Sequence, residues 1–123
     1  MSTEDALRES EERLRISFDL SPDAINLVRM EDGLWVAVNQ GFTRITGWTP
    51  EEVIGRTGLE LGLWVDTEAR KRLYAELESA GHCEIENVLF RTRGGEAVEC
   101  SLASHVVHVG GKPHILSITR DLT

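Results

Sequence analysis

Residues 39–55, NQGFTRITGWTPEEVIG, constrain the fold more than any other stretch, because they encode two short capped helices directly behind a strand. Asn39 follows the apolar run Leu34 to Val38, and its side-chain oxygen can accept from the free backbone N–H groups of a first helical turn. Phe42, Ile45 and Thr46 then fall at helical spacing, and Gly47 supplies the left-handed residue that stops a helix. Thr49-Pro50-Glu51-Glu52 restarts the chain with a hydroxyl N-cap, a proline at the first helical position and a glutamate placed for a reciprocal capping box. Val53 and Ile54 are expected to face inward, with Gly55 ending the turn. The segment carries no phosphate loop and no catalytic triad; it is a scaffold built to hold something.

The rest of the chain supplies one long arm, a third helix and five strands. Residues 4–18 are expected to form a helix with Leu7, Leu14 and Phe18 on one face beside Ala6 and Ser10. Glu9 to Arg13 and Glu11 to Arg15 offer ion pairs one turn apart, and Ser21-Pro22-Asp23 breaks the helix. Such an arm either packs on its own domain or is shared between two subunits. Ala24 to Met30 and Leu34 to Val38, joined by Glu31-Asp32-Gly33, form a hairpin. Asp66 caps a helix running to about Ser79, with Ala69, Leu73, Leu77 and Ala80 on the buried face, Arg70, Lys71 and Glu78 opposite, and Gly81 closing it. Strands follow at about Cys83 to Thr92, Glu96 to Val109 and Pro113 to Arg120, joined at Gly94-Gly95 and Gly110-Gly111.

Side-chain parity orders these strands. Val98, Cys100 and Leu102 alternate with Glu99, Ser101 and Ala103, as in a strand wet on one face. Ile25 to Val28 and Ile115 to Ile118 are apolar on both parities, so the first and last strands are expected to be central.

Length and charge narrow the function. The chain has 123 residues, room for one domain with one real core and no output domain beside it. Thirteen basic residues against 21 acidic ones give a formal charge of −8, which repels nucleic acid and anionic membrane surfaces. No stretch is apolar enough to span a membrane or direct secretion, so a cytoplasmic location is expected. Cys83 and Cys100 lack the spacing of a metal or redox motif and are expected to be reduced thiols; no metal site is expected.

The order of these motifs resembles the PAS domain family, the sensory box domain of bacterial signalling proteins, over nearly the whole chain. The resemblance rests on Asn39, the Gly47-Trp48 pair, the Pro50 to Gly55 run, Leu63-Trp64-Val65-Asp66 before the long helix, Arg93-Gly94-Gly95, and the terminal Asp121-Leu122-Thr123. It implies an α+β fold: a five-stranded antiparallel sheet of order 2-1-5-4-3 with a helical insert on one face. The amphipathic N-terminal helix is the expected cover for the other face. Residues 1–20 then form that dimerisation or capping helix and 21–123 the PAS core.

With the insert over the sheet, the space between them should be lined by Asn26, Val28, Val36, Val38, Phe42, Thr46, Val88, Phe90, Cys100, Leu102, Ser117 and Thr119. Such a lining suits a small core or a pocket with a few orienting polar groups. Light-sensing flavin members of the family carry an Asn-Cys-Arg motif where this chain has Arg56-Thr57-Gly58-Leu59, which excludes that photochemistry. Haem-binding members use a histidine on the long helix, and Asp66 to Ser79 has none. His82, His105, His108 and His114 are expected to be surface or satisfied side chains. No cofactor is therefore expected; a non-covalent flavin, stacked on Trp48 or Trp64 and bonded to Asn26, is the alternative.

Three functions remain in order. The first is a cytosolic sensory and dimerisation module of a multidomain two-component or phosphorelay protein, of histidine kinase or diguanylate cyclase type, binding a small ligand or only other proteins. Its expected partners are a second copy of itself and a C-terminal effector domain reached through Asp121 and Thr123. Leu7, Leu14 and Phe18 on the arm, with Trp35, Leu116 and Ile118 on outward strand positions, are the expected homodimer surface. The second is a flavin redox sensor. The third is a small pocket enzyme, for which Glu86 is the only acidic residue of inward parity; Glu51 and Glu52 are explained as first-turn helix residues.

Overall fold

The computed structural model describes residues 2–123. Helix α1 (Thr3–Leu20) begins at Ser2, whose hydroxyl accepts from Asp5 N at 3.2 Å. It carries a Glu9–Arg13 ion pair at 2.7 Å, and no pair forms between Glu11 and Arg15 among the described residues. After the Ser21 to Asp23 break, β1 (Ala24–Arg29) and β2 (Trp35–Val38) form the first hairpin. The insert follows as α2 (Gln40–Thr46), α3 (Pro50–Val53), α4 (Gly58–Leu61) and α5 (Thr67–Ala80). The chain then returns through β3 (His82–Arg91), β4 (Ala97–Val109) and β5 (Lys112–Asp121).

The sheet is antiparallel with order β2-β1-β5-β4-β3, so β1 and β5 are the central pair, as their two-sided apolar pattern requires. Core side chains come from the inner face of the sheet and the underside of the insert. Capping sets the insert's short helices. Asn39 Oδ1 accepts from Phe42 N at 2.9 Å, and Gly47 ends α2 at φ 81°. Glu52 reaches back to accept from both the backbone N and the hydroxyl of Thr49 at 3.0 Å. Helix α4 was not anticipated from the sequence; Thr57 caps it by accepting from Glu60 N at 3.1 Å.

Several sequence expectations are corrected. Between β1 and β2 the register shifts at Leu27/Val28, so that Trp35 pairs with Val28 while Val38 pairs with Asn26. This bulge flips the parity of one strand end: Trp35 turns inward at 6% exposure, and Val36, assigned to the lining, turns out at 41%. A second shift between Ile85 and Val88 does the same on β3. Glu86 is therefore exposed and lines an open hollow on the outer face, not the interior. Ile54 is exposed because α3 ends at Val53. Ala80 is exposed in the last turn of α5, while Ala69, Leu73 and Leu77 are buried as expected.

Helix α1 also departs from its expected place. No residue of it is buried, and its main packing is against α2, so the outer face of the sheet is not covered by the chain's own arm. A helix with so narrow an apolar stripe has little to gain from folding back, and the extended Ser21 cap directs it away.

Candidate functional site

The insert and the inner face of the sheet enclose a cavity of about 60 Å³. Its floor includes Asn26 and Ser117, opposite each other on β1 and β5, and Ser117 pairs in turn with Ser104 on β4, which is buried beside the cavity without lining it. The Ser104 and Ser117 hydroxyls lie 2.7 Å apart and satisfy each other. Asn26 and Thr119 line the cavity, and neither side chain has a hydrogen-bond partner among the described residues. Their polar atoms are not sealed off and stay available to water or to whatever else fills the chamber.

The roof comes from α2 and α5. Phe42, Ile45 and Thr46 descend from α2, and Arg70, Leu73 and Tyr74 from α5. Thr46 spends its hydroxyl locally, donating to Phe42 O at 2.8 Å and accepting from Trp48 N at 3.2 Å. Two aromatic pairs stiffen the walls: Trp35 with Phe42 at 5.0 Å between centroids, and Trp64 edge-on to Phe90 at 4.9 Å. Gly58 lies against both walls: a Cβ there would make ordinary contact with Trp64 Nε1 at 3.5 Å and Trp35 Cζ2 at 3.7 Å.

Most of the expected lining residues meet here. Asn26, Val28, Phe42, Thr46, Phe90, Leu102, Ser117 and Thr119 do; Val38, Val88 and Cys100 are buried in the core beside the cavity without lining it. Of the side chains proposed for a flavin, Asn26 and Trp64 line the cavity and Trp48 does not. Sequence reasoning missed Trp35, Arg70 and Tyr74. Arg70 was expected to face solvent, yet it sits over the Tyr74 ring at 4.5 Å and lines the cavity. The signal was present, because Arg70 and Tyr74 lie one turn apart beside the Ala69, Leu73, Leu77 stripe, and widening that stripe by one position reaches both.

Ionisation follows from the same surroundings. Burial pushes the Tyr74 phenol up, against the pull of the neighbouring Arg70 charge, so Tyr74 is a donor at neutral pH. Burial likewise raises Cys83 and Cys100 to about 11, which leaves both as inert thiols. The four histidines stay outside the cavity. His82 and His105 face each other across β3 and β4 with ring centroids 6.0 Å apart, His108 is exposed, and buried His114 bonds through Nδ1 to Lys112 O at 2.9 Å. Among the described residues no three His, Cys, Asp or Glu side chains group as metal ligands.

A family model described as PAS fold matches residues 12–122. The chain belongs to the PAS family. This PAS domain superposes on the PAS domain of an HTR-like protein from Haloarcula marismortui with a TM-score of 0.81, at 28% identity over 97% of each chain. It is also similar to a PAS domain from Colwellia psychrerythraea, with TM-score 0.79 and 21% identity over 96% of this chain and 98% of that one. Among curated proteins it is 29% identical to the methyl sulfide methyltransferase-associated sensor of Methanosarcina acetivorans, over 97% of this chain and 12% of that protein. The PAS domain thus spans about an eighth of the length of that relative.

Proposed function

We propose that this PAS domain is a sensory and dimerisation module of a longer cytoplasmic signalling protein, of histidine kinase or diguanylate cyclase type, and that its cavity takes a small molecule. The observation that carries the ligand is the partly open chamber between insert and sheet, with Asn26 and Thr119 unpartnered by protein groups at its floor. The sensor role is supported by the relative named as a sensor, of which the matching segment is 12%. A cavity of about 60 Å³ is under half of the roughly 150 Å³ that holds benzene, which favours a small ligand over the three-ringed flavin. Its lining contains no carboxylate and no histidine among the described residues, which favours binding over acid–base catalysis.

Dimerisation is proposed from α1. Leu7, Leu14 and Leu20 stand 60%, 69% and 71% exposed, and Ile118 lies uncovered on the outer face of the sheet with half-buried Leu116 beside it. A second copy is the occupant that covers both surfaces. Trp35 leaves the dimer set because it is buried, and Phe18 is half-buried against its own domain. No helix among the described residues is long and apolar enough to cross a membrane. At the other end, Asp121 Oδ1 accepts from Thr123 N at 2.9 Å and from its hydroxyl at 2.7 Å, a turn suited to hand the motion of β5 to an effector domain. A ligand drives such a switch only by binding one state more tightly than the other.

Light scattering and an absorption spectrum test this reading together. The unaltered chain should be a colourless dimer, and Leu7→Glu with Leu14→Glu should give a folded monomer, because unpaired carboxylates oppose burial. A monomer at high concentration removes the dimer, and a stoichiometric flavin spectrum replaces the small ligand with the redox-sensing alternative.

A further inference from the structure

Arg70 is the only charged residue among those lining the cavity. None of the six ion pairs of the described residues includes it. Asp32, the acid whose charge acts on Tyr74, is already taken: its carboxylate accepts from Arg29 Nε at 3.2 Å and from Leu34 N at 3.1 Å, and it also pairs with Arg29 Nη2. A guanidinium in a protein with eight excess negative charges has thus been left without an anion at the mouth of a cavity.

The geometry prepares that group for a planar anion. Arg70 Cζ lies over the Tyr74 ring at 4.5 Å from its centroid, and a guanidinium can meet a carboxylate with a two-pronged contact. At Gly33, with φ 73°, a Cβ would stand 3.6 Å from Arg70 Nη2 and 3.7 Å from the Tyr74 hydroxyl, so both donors border the same turn. Beyond them the chamber turns apolar at Val28, Ile115 and Leu73.

We propose that the cavity selects a short-chain monocarboxylate, its carboxylate held by Arg70 and Tyr74 and its alkyl tail against Val28, Ile115 and Leu73. The proposal rests on the reading of this domain as a small-ligand sensor and names the ligand class. Size favours the shortest acids: about 60 Å³ is under half of the roughly 150 Å³ that holds benzene, so acetate and propionate are expected to fit better than butyrate. Arg70 is the only cation in the lining, so a second carboxylate would meet only the uncharged Asn26, Ser117 and Thr119 and would lack a counter-charge, which favours a single carboxylate.

Isothermal titration and thermal melts of the whole chain test this with acetate, propionate and butyrate against acetamide, propionamide and inorganic phosphate at matched ionic strength. Propionate should bind at least tenfold more tightly than propionamide. Arg70→Gln should remove that preference while keeping the far-ultraviolet spectrum, and Arg70→Lys should retain part of it. Amides binding as well as acids, phosphate binding more tightly than either, or an Arg70→Gln protein with unchanged selectivity each overturns the carboxylate while leaving a ligand-binding sensor. If none of these probes binds, the carboxylate is overturned as well, and the small-ligand reading then needs a ligand of another class.

Discussion

The side-chain amide of Asn39 donates to the backbone carbonyl of Phe18 at 2.8 Å, joining the last turn of α1 to the junction of β2 and α2. The same amide donates to Asp23 O at 3.0 Å, and its oxygen accepts from Ile25 N at 2.8 Å and Phe42 N at 2.9 Å. At 1% exposure this side chain uses all its hydrogen-bonding capacity to tie four segments together. Asn39→Ala leaves those backbone groups unpaired in a dry place, so a loss of about 3 kcal/mol is expected in urea unfolding. Asn39→Asp keeps the acceptor and loses both donors, and should be destabilised to a similar degree.

Gly41 provides a test with a sign. In an ordinary helix Gly→Ala stabilises by about 1 kcal/mol. Here a Cβ would lie 2.2 Å from Asp23 O and 3.0 Å from Ser21 O, both backbone atoms. Gly41→Ala should therefore destabilise by about 3 kcal/mol or fail to fold; a stabilised variant would show that α2 does not press on the α1–β1 linker.

Trp48 is half-buried against the core and its buried Nε1 has no partner. Trp48→Ala should cost about 2 kcal/mol, less than for a fully buried indole. Trp48→Phe removes the unpaired N–H and keeps most of the contact, so its midpoint should lie close to that of the unaltered protein. Denaturant midpoints of the pair distinguish ring packing from the polar atom.

Glu52 predicts a pH dependence. The Thr49 backbone N–H, then the Thr49 hydroxyl and the Arg93 charge, hold its carboxyl below the ordinary range, with Arg93 Nε at 2.7 Å. A depressed folded-state pKa contributes stability above the ordinary glutamate value of about 4.3 and loses it as the pH falls through and below that value. Glu52→Gln should melt lower at neutral pH and show a shallower acid decline, with the two proteins converging at low pH.

Cys83 and Cys100 are buried free thiols raised to about 11. Ellman's reagent should label them slowly in the native protein at neutral pH and promptly in denaturant. Fast native labelling of either would show an opening of the sheet that the closed structure does not contain.

The sequence by itself determined the local elements, since their causes lie within a few residues. Asn39 and Gly47 bound α2, Glu52 returns to Thr49, Asp66 caps α5, and the two-sided apolar runs of β1 and β5 place those strands at the centre of the sheet. Asn26, Val28, Phe90, Leu102, Ser117 and Thr119 were legible because alternation carries a side chain's direction along a strand, and Phe42 and Thr46 because helical spacing puts them on one face of α2. Only the tertiary structure decided which way Trp35, Val36 and Glu86 point. A bulge inserts one residue against a partner strand far away in sequence, and each inserted residue reverses the parity beyond it. Arg70 and Tyr74 were decided there as well: their helix face becomes a cavity wall only because β1, β5 and the Gly33 turn come to lie beneath it.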